Sequence, residues 1–225
     1  MEMIAPVSVD GIFTGKIGFL PGESRGSAID KRPLSGRCVI GPEGLAGDEH
    51  ADPGAHGGAE KAVHLFPQEH HAALARAFPE ARHLQPGGLG ENLSTCGITE
   101  NEACIGDIFA LGTARLQIAQ PRTPCWKIDA RCGVEGVAAR VAEHGIAGWY
   151  FRVLTPGECA AGDALIHLER PAGAVSLARF NRSLRERRPS LQVLDRLAGA
   201  PGLAAEWVRK IRSRMEWLQE NGGAS

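Results

Sequence analysis

Cys125 lies in the run Gln120-Pro121-Arg122-Thr123-Pro124-Cys125-Trp126-Lys127, which sets a sulfur between two fixed cations. Pro121 and Pro124 each lock φ and push the residue before them toward extended geometry, so the cysteine is presented from a stiff turn. Arg122 and Lys127 favour the thiolate, the form that ligates a metal or attacks an electrophile. The same residues also describe a buried cysteine packed as a small hydrophobe beside Trp126, and the segment alone leaves both readings open.

The loop from Gly41 to Lys61 holds the second concentration of polar chemistry. Gly44-Leu45-Ala46-Gly47-Asp48 and His56-Gly57-Gly58 let backbone amides approach a ligand closely and form a concave anion site, for which phosphate is the natural guest. Tight turns between strands account for the glycines more simply. No Gly-Lys-Ser/Thr ends a glycine run, so this is not a nucleotide-binding P-loop, and dinucleotide spacing is absent too. Among the histidines, His56 has room between glycines to reach a substrate. His64 falls in an alternating strand and reads as a partly buried residue bonded to backbone, whereas His70 and His71, adjacent on one helix, point apart and read as a solvated pair.

These groups must be positioned by a mainly β part with helical insertions. Short apolar runs punctuated by Gly and Pro at 11–19, 38–40, 62–66, 91–95, 107–111 and 115–119 have the cadence of a barrel or sandwich. Helices are expected from Pro67 to about Ala77 and from Val134 to His144. From Ala174 the periodicity lengthens, giving helices over 175–187 and 190–198 and a third whose apolar stripe is Leu203, Trp207, Ile211, Met215 and Leu218. The chain therefore divides into a β unit over 1–170 and a three-helix unit over 171–225. The helical part carries ten Lys+Arg against five Asp+Glu, a basic surface read as solvated.

Across 225 residues, Lys+Arg (25) nearly balance Asp+Glu (26), which argues against a general nucleic-acid binder or a disordered tail. No run reaches the length of a membrane span and no secretory signal is expected, so the reading is a cytoplasmic protein. The six cysteines contain no Cys-x-x-Cys pair and are expected to be reduced. Oligomeric state stays open, with a homodimer admissible.

Six motifs in order carry a resemblance: Thr14-Gly15-Lys16, Gly44 to Asp48, His56-Gly57-Gly58, Gly90-Glu91-Asn92-Leu93-Ser94, Gly106-Asp107-Ile108-Phe109, and the Cys125 run. Together they resemble the MOSC family, and specifically a branch with a C-terminal three-helix extension that protects cells from toxic base analogues. The resemblance implies a MOSC-type β-barrel binding the molybdenum cofactor, a molybdenum ion on the dithiolene of a phosphate-bearing pterin. It also implies reduction of N-hydroxylated compounds, such as hydroxylaminopurines, to amines. Carried onto this chain, Cys125 is the metal ligand, and Lys16, Arg122 and Lys127 hold the phosphate or dithiolene charge, with Gly57 and Gly58 beside them. His56 or Lys61 supplies a proton and Asn92 orients the substrate. No Cys-x-x-x-x-Cys-x-x-Cys spacing is present, so no intrinsic iron-sulfur cluster is expected and electrons come from a separate donor protein. Two other readings share these residues: a persulfide carrier through Cys125, and a non-catalytic cofactor carrier.

Overall fold

A computed structural model describes residues 4–221. Along the chain run β1 (Val7–Gly15), β2 (Gly18–Phe19), β3 (Gly26–Ser27), β4 (Lys31–Pro33), β5 (Arg37–Gly41) and β6 (Gly44–Leu45). A single-turn α1 (Pro53–His56) leads to β7 (Val63–Pro67), α2 (Gln68–Ala77), β8 (Leu93–Thr95), β9 (Ile108–Leu111) and β10 (Ala114–Pro121). Then come α3 (Lys127–Cys132), α4 (Val137–His144), β11 (Trp149–Thr155), β12 (Gly157–Ala160) and β13 (Ala164–Glu169). Three helices finish the described chain: α5 (Leu177–Arg185), α6 (Leu191–Ala198) and α7 (Ala205–Asn221).

Seven strands close into a barrel in the order β13-β9-β10-β11-β7-β8-β1, and β1 returns to β13 through Val7 opposite Leu165 and Ser8 opposite Ala164. Closure removes the open edges that would otherwise invite pairing with other chains. Every pairing is antiparallel except β7 with β8, whose crossover carries α2. The strands expected between residues 11 and 119 are present; β11 and β13, which complete the barrel, were not among the expected runs. The interruption of β11 by polar Arg152 and Thr155 obscures its alternation.

The barrel interior is filled by Val9, Ile12, Leu65, Phe109, Leu116, Ile118, Trp149 and Phe151, all at most 1% exposed. Leu177, Phe180, Leu194 and Ile211 of the last three helices belong to the same continuous apolar cluster, so those helices dock directly on the barrel. The stripe on α7 packs as its spacing requires, with Ile211 buried and Trp207, Met215 and Leu218 partly so. A second cluster of Phe66, Leu74, Leu89, Ile128, Val137 and Val141 lies between the outer face of β7 and helices α2 to α4.

This second core corrects the reading of His64. All five residues of β7 are buried, because its two faces meet two different cores, and His64 is 2% exposed rather than partly so. His70 and His71 are likewise not a solvated pair. His70 Nε2 lies 2.7 Å from Glu100 and His71 Nε2 lies 3.1 Å from buried Glu91, so each side chain is drawn inward by a carboxylate. All six cysteines are free thiols. No described helix is long and apolar enough to cross a membrane.

Candidate functional site

Cys125 stands where β10 leaves the barrel and the chain turns into α3. The Arg122 amide donates to Gly148 O (3.2 Å), tying the exit of β10 to the start of β11, and the Ile128 amide donates to Cys125 O (3.1 Å), starting the helix. Trp126 does not cover the thiol; its ring stacks instead under the Arg25 guanidinium, 4.4 Å from the ring centroid. Cys125 is half-buried and lines a cleft of about 520 Å³, mouth included. Of the two readings of this cysteine, the dry-core packing is excluded.

Four cations line that cleft: Lys31, Lys61, Arg122 and Lys127. Lys31 is 9% exposed and grips Asp48 with its ammonium; burial pushes its pKa down, and the Asp48 charge opposes that. Arg122 is 8% exposed, and its Nη2 donates to Leu89 O (2.8 Å) while its buried Nη1 has no partner among the described residues. A guanidinium nitrogen withdrawn from water and left unpaired is costly unless a ligand completes it. Leu89 is itself held by buried Glu91, which accepts from the amides of Leu89 (3.0 Å) and Gly87 (2.6 Å), so the Arg122 cradle is rigid.

His56 and Lys61 face the same cleft from a different direction. The Asp52 side chain caps α1 by accepting from the Ala55 amide (3.1 Å), which sets His56 at the helix end. Burial, then the fields of Lys127 and Arg122, lower the His56 pKa to about 4. His56, expected as a proton donor, is therefore neutral at pH 7, held so by burial first and by the neighbouring cations second. Lys61 ends the short 3-10 turn Ala59–Lys61 and pairs with Glu206 of α7 at 3.2 Å.

Other residues named from the motifs have different places. Lys16 does not reach the cleft; its side chain is 71% exposed and pairs with Glu49 (3.0 Å) on the surface. Gly57 and Gly58 do not line it either. Gly57 closes α1, and Gly58, at φ 87°, starts the turn that carries Lys61. Gly44 and Gly47 serve turns and close approach, a Cβ at Gly44 overlapping the Ala62 carbonyl. Asn92 lines the cleft but its amide is spent: Oδ1 accepts from the His64 amide (3.0 Å), and Nδ2 donates to Phe13 O (3.2 Å) and Asp48 (2.8 Å). With both donors used, Asn92 positions β7, β8 and Asp48 rather than a substrate.

Sequence reasoning missed Lys31, His50 and Tyr150, which also line the cleft. The only signal for Lys31 was Asp48 in a matched motif, since a buried carboxylate demands a cation. His64, at the cleft floor, donates from Nε2 to Ala147 O (3.0 Å), and burial pushes its pKa down to about 3, which leaves Nδ1 a bare acceptor. Tyr150 lies beside the Arg122 guanidinium, with burial raising the pKa of its phenol. Among the described residues no cluster of three or more His, Cys, Asp or Glu is arranged to hold a metal ion.

The closed seven-stranded barrel carries a cationic cleft around an open thiol, and residues 52–166 match the description "MOSC domain". The chain belongs to the MOSC family, on its YiiM-like side, as the six motifs implied. It is 35% identical to "Protein YiiM" of Escherichia coli (strain K12) over 204 residues, 90% of each protein. It is also 38% identical over 188 residues to a protein of Gibberella moniliformis named "Reductase", covering 83% of this chain and 33% of that one. The crystal structure of YiiM from Geobacillus stearothermophilus superposes with a TM-score of 0.79 at 30% identity, covering 93% of this chain and all of that one.

Proposed function

We propose that this protein is a molybdenum-cofactor-dependent reductase that converts N-hydroxylated bases such as hydroxylaminopurines to amines. The observation that carries the reading is the unpaired Nη1 of buried Arg122 in the same cleft as the accessible Cys125 thiol. The donor set fits the group: a soft thiolate suits molybdenum, and planar Arg122 with the point charges of Lys127 and Lys31 suits a phosphate and an anionic dithiolene. Cys125 would ligate the metal, and Arg122 and Lys127 would hold the anionic parts. When bound, the cofactor supplies a two-electron redox couple.

The overall conversion takes up two electrons and two protons, breaks the N–O bond and releases water and the amine. His56 and Lys61 are the proton sources facing the cleft. Lys61 is held by Glu206, and an anionic guest raises the His56 pKa by offsetting the Lys127 and Arg122 fields that lower it beside burial. Lys31 and Asp48 fix the wall opposite, and Tyr150 restricts water beside Arg122. Electrons arrive from a separate donor protein. We keep the division proposed from sequence, a barrel unit over 1–170 and a helical unit over 171–225, and a cytoplasmic setting.

The test is metal and pterin analysis of protein made in a molybdenum-replete host, with turnover of 6-N-hydroxylaminopurine under a chemically reduced viologen. Wild type should carry molybdenum and form adenine, and Cys125→Ser should lose both while keeping its fold. Stoichiometric zinc, or full turnover by Cys125→Ser, would remove the proposal. The open thiol also suits a persulfide, and a mass gain of one sulfur atom from a cysteine desulfurase, with no molybdenum bound, would favour that second reading.

A further inference from the structure

A second cleft, of about 770 Å³ with its mouth, meets the first at Cys125, His56, Lys61 and Tyr150. The two differ in chemistry. The first holds four cations, Lys31, Lys61, Arg122 and Lys127, against one carboxylate, Glu49, whereas the second is walled by α7 and holds two, Lys61 and Lys210, against Glu206. An anionic guest therefore partitions to the first, which leaves the second as the approach for the other reactant.

Resting on the reading above, we infer that the second cleft is the substrate subsite, taking a neutral planar nitrogen heterocycle whose ring N–H groups donate to Glu206. The Trp207 indole and the rings of Pro121 and Pro124 give it flat apolar walls, suited to an aromatic face. Two of its polar groups offer acceptors. Gln120 has committed Nε2 to Glu60 O (3.1 Å), leaving Oε1 available, and Glu206 stays ionised between Lys210 (2.6 Å) and Lys61 (3.2 Å). A ring with N–H donors on one edge and its N–OH group directed at the shared Cys125 end satisfies both, and the two lysines disfavour a cationic substrate. Glu206, Trp207 and Lys210 all lie outside residues 52–166, so the appended helix shares substrate selection with Gln120, Pro121 and Pro124 of the MOSC-matching region.

Molybdenum-loaded wild type, Glu206→Gln and Trp207→Phe would be compared by calorimetric titration with adenine and by steady-state reduction of 6-N-hydroxylaminopurine and of hydroxylamine, which has no ring to reach Glu206. In Glu206→Gln, adenine Kd and the purine KM should rise about tenfold, a change of about 1.4 kcal/mol. Its molybdenum content should hold, and any fall in kcat that comes from loosening Lys61 should appear equally with hydroxylamine; Trp207→Phe, which keeps the packing against Phe180, should weaken adenine severalfold. Adenine binding that is undetectable in wild type or unchanged in Glu206→Gln overturns the inference. So does a fall in kcat at constant KM, which assigns Glu206 to holding Lys61 alone, or loss of molybdenum from Glu206→Gln, which gives the cleft to the cofactor. Glu206-dependent adenine binding without turnover under any donor leaves the subsite standing and removes the reductase reading instead.

Discussion

Replacing Arg122 with methionine should strongly weaken anion binding while leaving the fold nearly as stable as before. In the cofactor-free protein the substitution loses one charged hydrogen bond, Nη2 to Leu89 O, which contributes about 1.5–3 kcal/mol. It also removes the buried, unpaired Nη1, whose desolvation costs about 1–3 kcal/mol. The two nearly offset, and with a shift of about 2–4 °C per kcal/mol for a chain of this size, the basal Tm should move by less than about 5 °C. Binding is different, because both nitrogens count against a phosphate oxygen. Loss of about 2–4 kcal/mol there weakens affinity roughly 30-fold to 1000-fold. Inorganic phosphate at about 100 times the wild-type Kd stabilises by about 2.7 kcal/mol, or about 5–10 °C. At that same concentration Arg122→Met should show less than about 3 °C. Lys16→Met should match wild type, since Lys16 lies on the surface outside the cleft. Differential scanning fluorimetry reads all three. A full phosphate shift in Arg122→Met, or a basal Tm lower by more than about 10 °C, would refute the assignment of Arg122 to the guest.

Stability should fall as pH drops from 6.5 toward 4.5, because the unfolded chain protonates His64 near pH 6.5 while the folded chain, with its pKa pushed down to about 3, does not. The unfolded state then binds the extra proton, giving about 1.4 kcal/mol per pH unit. His50, His56 and His83, whose pKa values are also lowered, add to the same fall, so His64→Gln should flatten the urea-midpoint profile by its own slope alone, and an unchanged profile would count against it. Gly148→Ala should destabilise by at least about 2 kcal/mol, because Gly148 holds φ at 69° and a Cβ there overlaps the Leu65 carbonyl. The Gly148 amide donates to Glu100 (2.8 Å) and its carbonyl receives the Arg122 amide, so the phosphate shift should fall along with Tm.

The family, strands β1, β2, β5, β7, β8, β9 and β10, the three closing helices and the prominence of Cys125, Arg122 and Lys127 were legible in the chain, because each rests on local order: six motifs in sequence, apolar periodicity, and prolines flanking a cysteine. Tertiary structure alone decided the rest. Barrel closure depends on Val7 meeting Leu165, a pairing no window of sequence contains. The same folding brings Lys31, His56, Arg122 and Tyr150 to one cleft and sends Lys16 to the surface, though Lys16 sits in a matched motif as fully as the others. Asn92 looked like a substrate ligand until its three hydrogen bonds were in view. His56 looked like a neutral-pH acid until burial and two cations were placed around it. Periodicity is written residue by residue, but desolvation, Coulomb fields and hydrogen-bond capacity depend on distances between groups far apart in the chain, and only the fold sets those distances.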